Sequence, residues 1–224
     1  MRYLTDEQHI AVSSAVEEAE GQTSGEIVTV LADRSDGYSD VVLIGSIAIS
    51  FTVMSVLAMF PAALDDLWHS VWGGWGDALS AGWLITLTLV AGLLALILSW
   101  ALFSYDPVRF ALIPGPIKSA RSREAAIRHF RVGAERRTHG RTGVLLYLSM
   151  REHRAEIVAD ESIASRIPAE VWGEAMADML AGIRAGQLAE GLAAGIRDVG
   201  VVLAQQFPRD EHDTNELPDR IIEV

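Results

Sequence analysis

The chain has 224 residues; half are hydrophobic and 21% charged, and 30 acidic against 18 basic residues give a net charge of -12. That acidity argues against wrapping nucleic acid, where cationic side chains must neutralise phosphates, and the hydrophobic content argues against a disordered chain. With no cysteine, disulfide frameworks, thiolate zinc sites, iron–sulfur clusters and cysteine nucleophiles are excluded.

Thr5 is placed to cap a first helix, with Asp6 and Glu7 in its first turn. Ile10, Ala11, Val12, Ala15, Val16 and Ala19 then make an apolar stripe that ends near Gly21. Residues 26–32, EIVTVLA, form a β-rich run bounded by turn signals. The acidic cluster Asp33, Asp36 and Asp40 follows at the end of that strand. Ligands favour the carboxyl ends of parallel strands in open α/β sheets, and oxygen ligands of this kind suit Ca²⁺ or Mg²⁺. The same residues also make an ordinary solvated turn.

No charged residue occurs between Val41 and Leu64, or between Ala78 and Tyr105. Each run exceeds the roughly 20 apolar residues that cross a bilayer core as a helix, so the pattern predicts a two-helix transmembrane hairpin (41–64 and 78–105, loop 65–77). Trp68, Trp72 and Trp75 in the loop, with Trp83 just inside the second run, fit an aromatic belt at one interface. The first span begins forty residues in, behind a segment without a basic n-region, and does not read as a signal peptide. The loop lacks Lys and Arg, whereas Arg34, Arg109, Lys118, Arg121 and Arg123 flank the outer ends. The positive-inside rule then puts the loop outside and both termini in the cytoplasm. Without ionisable groups the spans read as an anchor rather than an ion path, and Ala91, Ala95 and Ser99 offer a small-residue row for close helix approach.

Pro114, Gly115 and Pro116 stop the second span. A helical pattern rich in arginine follows over 118–138, and 142–150, TGVLLYLSM, reads as a central strand covered on both faces. A short turn, Arg151 to His153, leads to a strand over 154–159, then to helices over 169–185 and 188–206 and an acidic, loose tail from 209. A helix between the first two strands makes them parallel, and the short turn makes the last two antiparallel. The expected fold is α/β: a three-stranded mixed sheet with helices, its two parts (1–40 and 106–208) interrupted by the hairpin (41–105), with a flexible tail (209–224).

Arg151, Glu152 and His153 would share the edge of the sheet with Asp33, where acid–base or phosphate chemistry is one reading and a polar turn the other. Asp160 and Glu161 fall at the opposite edge, roughly 17–20 Å away for a strand of five or six residues, too far to share a metal. Arg121, Arg123, Arg128, Arg131, Arg136, Arg137 and Arg141 form a basic region whose first members suit anionic lipid headgroups. No P-loop, G-x-S-x-G, H-E-x-x-H or dinucleotide fingerprint occurs.

Three stretches carry a family resemblance: EEAEGQTSGEIVTVLADRSDGY (17–38), RTGVLLYLSMREHRAEIVADESI (141–163) and VWGEAMADMLAGIRAGQLAEGLAAGIRDVGVVLAQQFP (171–208). In these the chain resembles the TPM domain family, which includes the thylakoid-lumen acid phosphatase-like proteins, and looks like its bacterial membrane branch with a hydrophobic hairpin inserted. The resemblance implies an α/β fold, membrane attachment and a divalent-cation or phosphatase association. The glycine-rich stretch that often follows the last strand in that family is replaced here by ADESIASRIPAE (159–170). Two functional expectations stand side by side. One is a non-enzymatic binding, assembly or quality-control factor in the inner membrane, engaging the lipid bilayer and another membrane or membrane-associated protein, with no nucleic acid. The other is a divalent-metal-dependent phosphatase holding Ca²⁺ or Mg²⁺ at Asp33 and Asp36.

Overall fold

The structure, a computed structural model, describes residues 2–72, 78–133, 142–209 and 220–224. In chain order the elements are α1 (Asp6–Glu20), β1 (Glu26–Ala32), α2 (Ser39–Met59), α3 (Pro61–Trp72), α4 (Ala81–Ser104), α5 (Asp106–Leu112), α6 (Gly115–Gly133), β2 (Gly143–Ser149), β3 (Arg154–Ala159), α7 (Glu161–Ala164), α8 (Ala169–Arg184), α9 (Leu188–Gln206) and β4 (Ile222–Glu223). They divide into two compact units. The first joins Met1–Asp36 with Gly115–Val224, and the second is Gly37–Pro114.

In the first unit α1 starts with a full capping box. Thr5 Oγ1 accepts the Gln8 N–H at 3.3 Å, and the Gln8 side chain accepts the Thr5 N–H at 2.9 Å. This satisfies two donors that a helix start leaves unpaired; such a cap contributes about 1 kcal/mol. The helix buries Val12, Ala15, Val16 and Ala19. Ile10, expected on the same stripe, is exposed.

The sheet has the order β3-β2-β1-β4. β1 runs parallel to β2, from Glu26 opposite Gly143 to Ala32 opposite Ser149, and β3 returns antiparallel to β2. The expected three strands are therefore four. β4 pairs in parallel with β1 and comes from the segment read as a loose tail, because Ile221 and Ile222 restore an apolar pair after the acidic run. Residues 210–219 of that tail lie outside the described residues.

Every residue of β1 and β2 is buried, and the period-two alternation of side chains divides them between two cores. Ile27, Leu31, Val144, Leu146 and Leu148 face α1, α8 and α9. Val28, Val30, Ala32, Leu145 and Tyr147 face Ala125, Ala126 and Phe130 of α6. Helices on both faces explain the nearly unbroken apolar runs of these strands. α8 and α9 approach closely at Gly182 and Gly191, where a Cβ on Gly182 would lie 2.8 Å from the Gly191 Cα. α6 is described as far as Gly133; residues 134–138 of the expected helix, with Arg136, Arg137 and Arg141, lie outside the described residues.

The second unit is helical. Pro61 cannot continue the helix before it, so α2 ends at Met59, five residues short of the expected span end, and α3 occupies part of the expected loop. α2 and α4 pair along a narrow seam. Val42, Ser46 and Ser50 are the buried residues of α2, and Gly92 and Ser99 those of α4. Ser50 Oγ donates to the Gly92 carbonyl at 2.8 Å, and a Cβ on Gly92 would sit 2.4 Å from Met54 Cγ. A larger residue at 92 would have to displace the Met54 side chain, so glycine suits close helix approach there. Around the seam the apolar side chains point outward: Ile44 is 67% exposed and Leu98 68%. Both helices are long and apolar enough to cross a membrane, with mean hydropathy 2.4 and 2.3 and only 17% and 6% of their most apolar windows buried. Arg109 closes the C-terminal end of α4, donating to the carbonyls of Ser104 at 2.6 Å and Phe103 at 3.3 Å. These are orphan acceptors that a cation also stabilises through the helix dipole. Trp68 stacks on Trp83 with ring centroids 6.4 Å apart; the side chain of Trp72 and all of Trp75 lie outside the described residues.

Candidate functional site

The carboxyl ends of β1 and β2 lie side by side, because the two strands are parallel and in register through Ala32 and Ser149. The turn that follows β2 lies against the residues that follow β1: Met150 N–H donates to the Ala32 carbonyl at 3.0 Å and Arg151 N–H to the Asp33 carbonyl at 3.1 Å. His153 completes this turn in the left-handed region at φ 52°. A residue other than glycine rarely sits there, and such positions concentrate where surrounding structure fixes them.

Asp33 is held from two sides. The Tyr3 hydroxyl donates to its Oδ1, and Arg151 Nε lies 2.9 Å from its Oδ2. The Tyr3 hydrogen bond, followed by Arg151, holds the Asp33 carboxyl below its usual range against the opposing effect of burial. Burial, and then the hydrogen bond to Asp33, push the Tyr3 phenol up. Asp36 pairs with Arg121 of α6 at 3.3 Å. Asp40 lies in the first turn of α2, in the other unit.

Glu152 is 2% exposed. It accepts the Ser35 N–H at 2.8 Å and the Ser149 hydroxyl, so the buried carboxylate has the hydrogen bonds it requires. The Tyr147 hydroxyl donates to Ser35 Oγ at 3.2 Å, and His129 stacks on the Tyr147 ring at 5.6 Å. Burial, then Arg128, lower the His129 pKa. This network fixes the turn rather than offering a free base.

The expected Ca²⁺ or Mg²⁺ site at Asp33 and Asp36 is corrected here. Among the described residues, no group of three or more His, Cys, Asp or Glu side chains converges to hold a metal ion. The physical reason lies in the partners: Tyr3 and Arg151 engage one carboxylate and Arg121 the other. Asp160 sits at the far end of the sheet, where its Oδ2 accepts the Gly143 N–H at 2.9 Å and its carbonyl accepts the Ile163 N–H; Glu161 opens α7 beside it. Arg123 pairs with Glu156 at 3.3 Å.

Beside the Arg151–His153 turn, a cleft of about 370 Å³ opens between the β2–β3 edge and α8. Leu148, Ala155, Leu180 and Ile183 line it with Ser149, Met150, His153, Arg154 and Arg184. Its size falls within the range of small-molecule pockets. Sequence reasoning missed this cleft, since Leu180 and Ile183 look like any apolar helix stripe. It also missed Tyr3 and Glu223, whose partners lie 30 and more than 200 residues away.

Comparison with curated proteins returned no match. The fold is similar to the NMR structure of the BA42 protein from the psychrophilic bacterium Bizionia argentinensis, with a TM-score of 0.57 and 17% identity, covering 100% of this chain and 97% of that one. At that identity the likeness concerns the fold alone. Residues 117–202 match the family model of the TPM domain, labelled TPM phosphatase, and a TPM-like domain is therefore present in the chain.

Proposed function

We propose that the chain is an integral membrane protein in which α2 and α4 form a transmembrane hairpin and the TPM-like domain serves as a non-enzymatic binding or assembly module at the cytoplasmic face of the inner membrane. The observation that carries this reading is the outward-facing apolar surface of α2 and α4. A core helix of a soluble protein buries its apolar side chains, whereas these leave all but a narrow seam exposed. Lipid is the solvent that such a surface fits. The positive charge beyond the outer span ends supports the cytoplasmic placement of both termini.

The binding role is supported by the edge where chemistry was expected. Asp33, Asp36 and Glu152 are engaged by Tyr3, Arg151, Arg121, Ser35 and Ser149; such engagement suits a rigid recognition surface better than acid–base turnover. The test is phosphate-ester hydrolysis by the full chain in detergent, compared with Asp33→Asn. This reading expects no turnover above buffer from either protein. Turnover that falls more than tenfold in the variant contradicts it and makes the edge an active site.

A further inference from the structure

The outer edge of β1 holds the chain's own residues 221–224 in the manner of a bound peptide. Ile222 lies opposite Val30 and Glu223 opposite Leu31 in parallel register. The Val224 N–H donates to the Leu31 carbonyl at 3.0 Å, and its carbonyl accepts the Asp33 N–H at 2.8 Å. Ile221 is 5% exposed and enters the core shared with α1 and α9, whereas Ile222 packs on the opposite face of the sheet. On the α1 side, the Glu223 carboxylate accepts the N–H groups of Tyr3 at 3.1 Å and Leu4 at 3.2 Å and meets His9 Nε2 at 2.9 Å.

These contacts are those of strand addition to a sheet edge: main-chain hydrogen bonds hold the segment, and alternate side chains read its sequence. The carboxylate is read by two backbone donors and an imidazole outside any regular ladder. Such a clamp distinguishes an acidic side chain from a neutral one at this position while it anchors the segment to the start of α1.

We propose that the β1 edge, together with Tyr3, Leu4 and His9, is a docking groove for an extended segment of a partner protein with two apolar residues followed by an acidic one. Residues 221–224 occupy the groove in cis and compete with that segment. The proposal rests on the binding-module reading and names the partner's chemistry. A tethered segment acts at high effective concentration, so partner binding is weak while the tail is docked and strong once it is released.

The test uses the full chain in detergent, a chain ending at residue 219, and the amidated peptide Arg-Ile-Ile-Glu-Val carrying a fluorophore. The shortened chain is expected to bind the peptide saturably, at least tenfold more tightly than the full chain does. The Gln version of the peptide should bind at least tenfold more weakly than the Glu version. A folded shortened chain that binds neither peptide, or binds both equally, overturns the proposal. Should shortening abolish the fold, the full-length Ile221→Ala/Glu223→Gln variant takes its place. If that variant also unfolds, the segment is an obligatory part of the core and the groove is rejected. Dimerisation of the full chain that free peptide abolishes makes a second copy the occupant and overturns the partner-segment form. Carbonate extraction of the membranes before solubilisation, and phosphate-ester turnover by the purified chains, read the membrane and non-enzymatic proposals separately from the groove.

Discussion

β1 and β2 in the first unit and α2 and α4 in the second are the most apolar stretches of the chain, yet they dispose of their side chains in opposite ways. Each strand is seven residues long and buries every residue, divided between two helix-covered faces. The helices run 21 and 24 residues and bury little beyond a seam of Ser46, Ser50, Gly92 and Ser99 with Val42. Hydrophobic composition says only that a segment leaves water. Length and the width of the buried face say whether protein or lipid receives it.

The comparison breaks most sharply at single leucines. Leu146→Ala, in the buried face of β2, is expected to cost about 2–5 kcal/mol through lost burial and a residual cavity. Leu98→Ala on the outer face of α4 should change stability by less than about 0.5 kcal/mol, as surface substitutions do. Denaturant unfolding of the detergent-solubilised chain checks both; equal costs would mean that α4 is packed inside protein.

At the seam, Gly92→Val should destabilise the helix pair by about 1–3 kcal/mol, the usual range for overpacking. A second change, Met54→Ala, removes the side chain in the way and should recover most of the loss. Thermal melting of the helical signal in detergent reads the pair, and an unchanged melt for Gly92→Val would contradict the close approach.

The smallest effect is on pH dependence and belongs to the first unit alone. His129 has a lowered pKa in the folded chain, so the unfolded state binds its proton first. Its contribution is complete above the unfolded value near 6.5 and declines as pH falls below it. Asp33, also lowered, gives up its contribution only as pH falls below its ordinary 3.8. Acidification from neutrality to pH 5 should therefore lower the melting temperature of the full chain, and His129→Gln should flatten that fall. An identical slope in the variant would assign the effect elsewhere.

Much of this was legible in the sequence because the signals are local. Thr5 as the cap of α1, the nearly continuous apolar run of residues 142–150 and the two long uncharged runs each follow from residues a few positions apart, whereas the break at Pro61 went unread. β4 was not legible: two isoleucines behind an acidic run acquire meaning only against the distant edge of β1. The metal reading of Asp33 and Asp36 failed for the same reason, since Tyr3, Arg121 and Arg151, the groups that engage them, are near in space and far in sequence.

The proposed crossing of a membrane by α2 and α4, with the TPM-like domain on one side and their connection on the other, is open to a direct test. Because the natural chain has no cysteine, single substitutions report position without background. Ala78→Cys marks the connection, and Ile10→Cys an exposed position of the first unit. Labelled with an impermeant maleimide on intact spheroplasts, Ala78→Cys should react at once and Ile10→Cys only after the membrane is opened. Equal labelling of both before lysis, or recovery of the chain in the soluble fraction, would contradict the membrane-spanning hairpin.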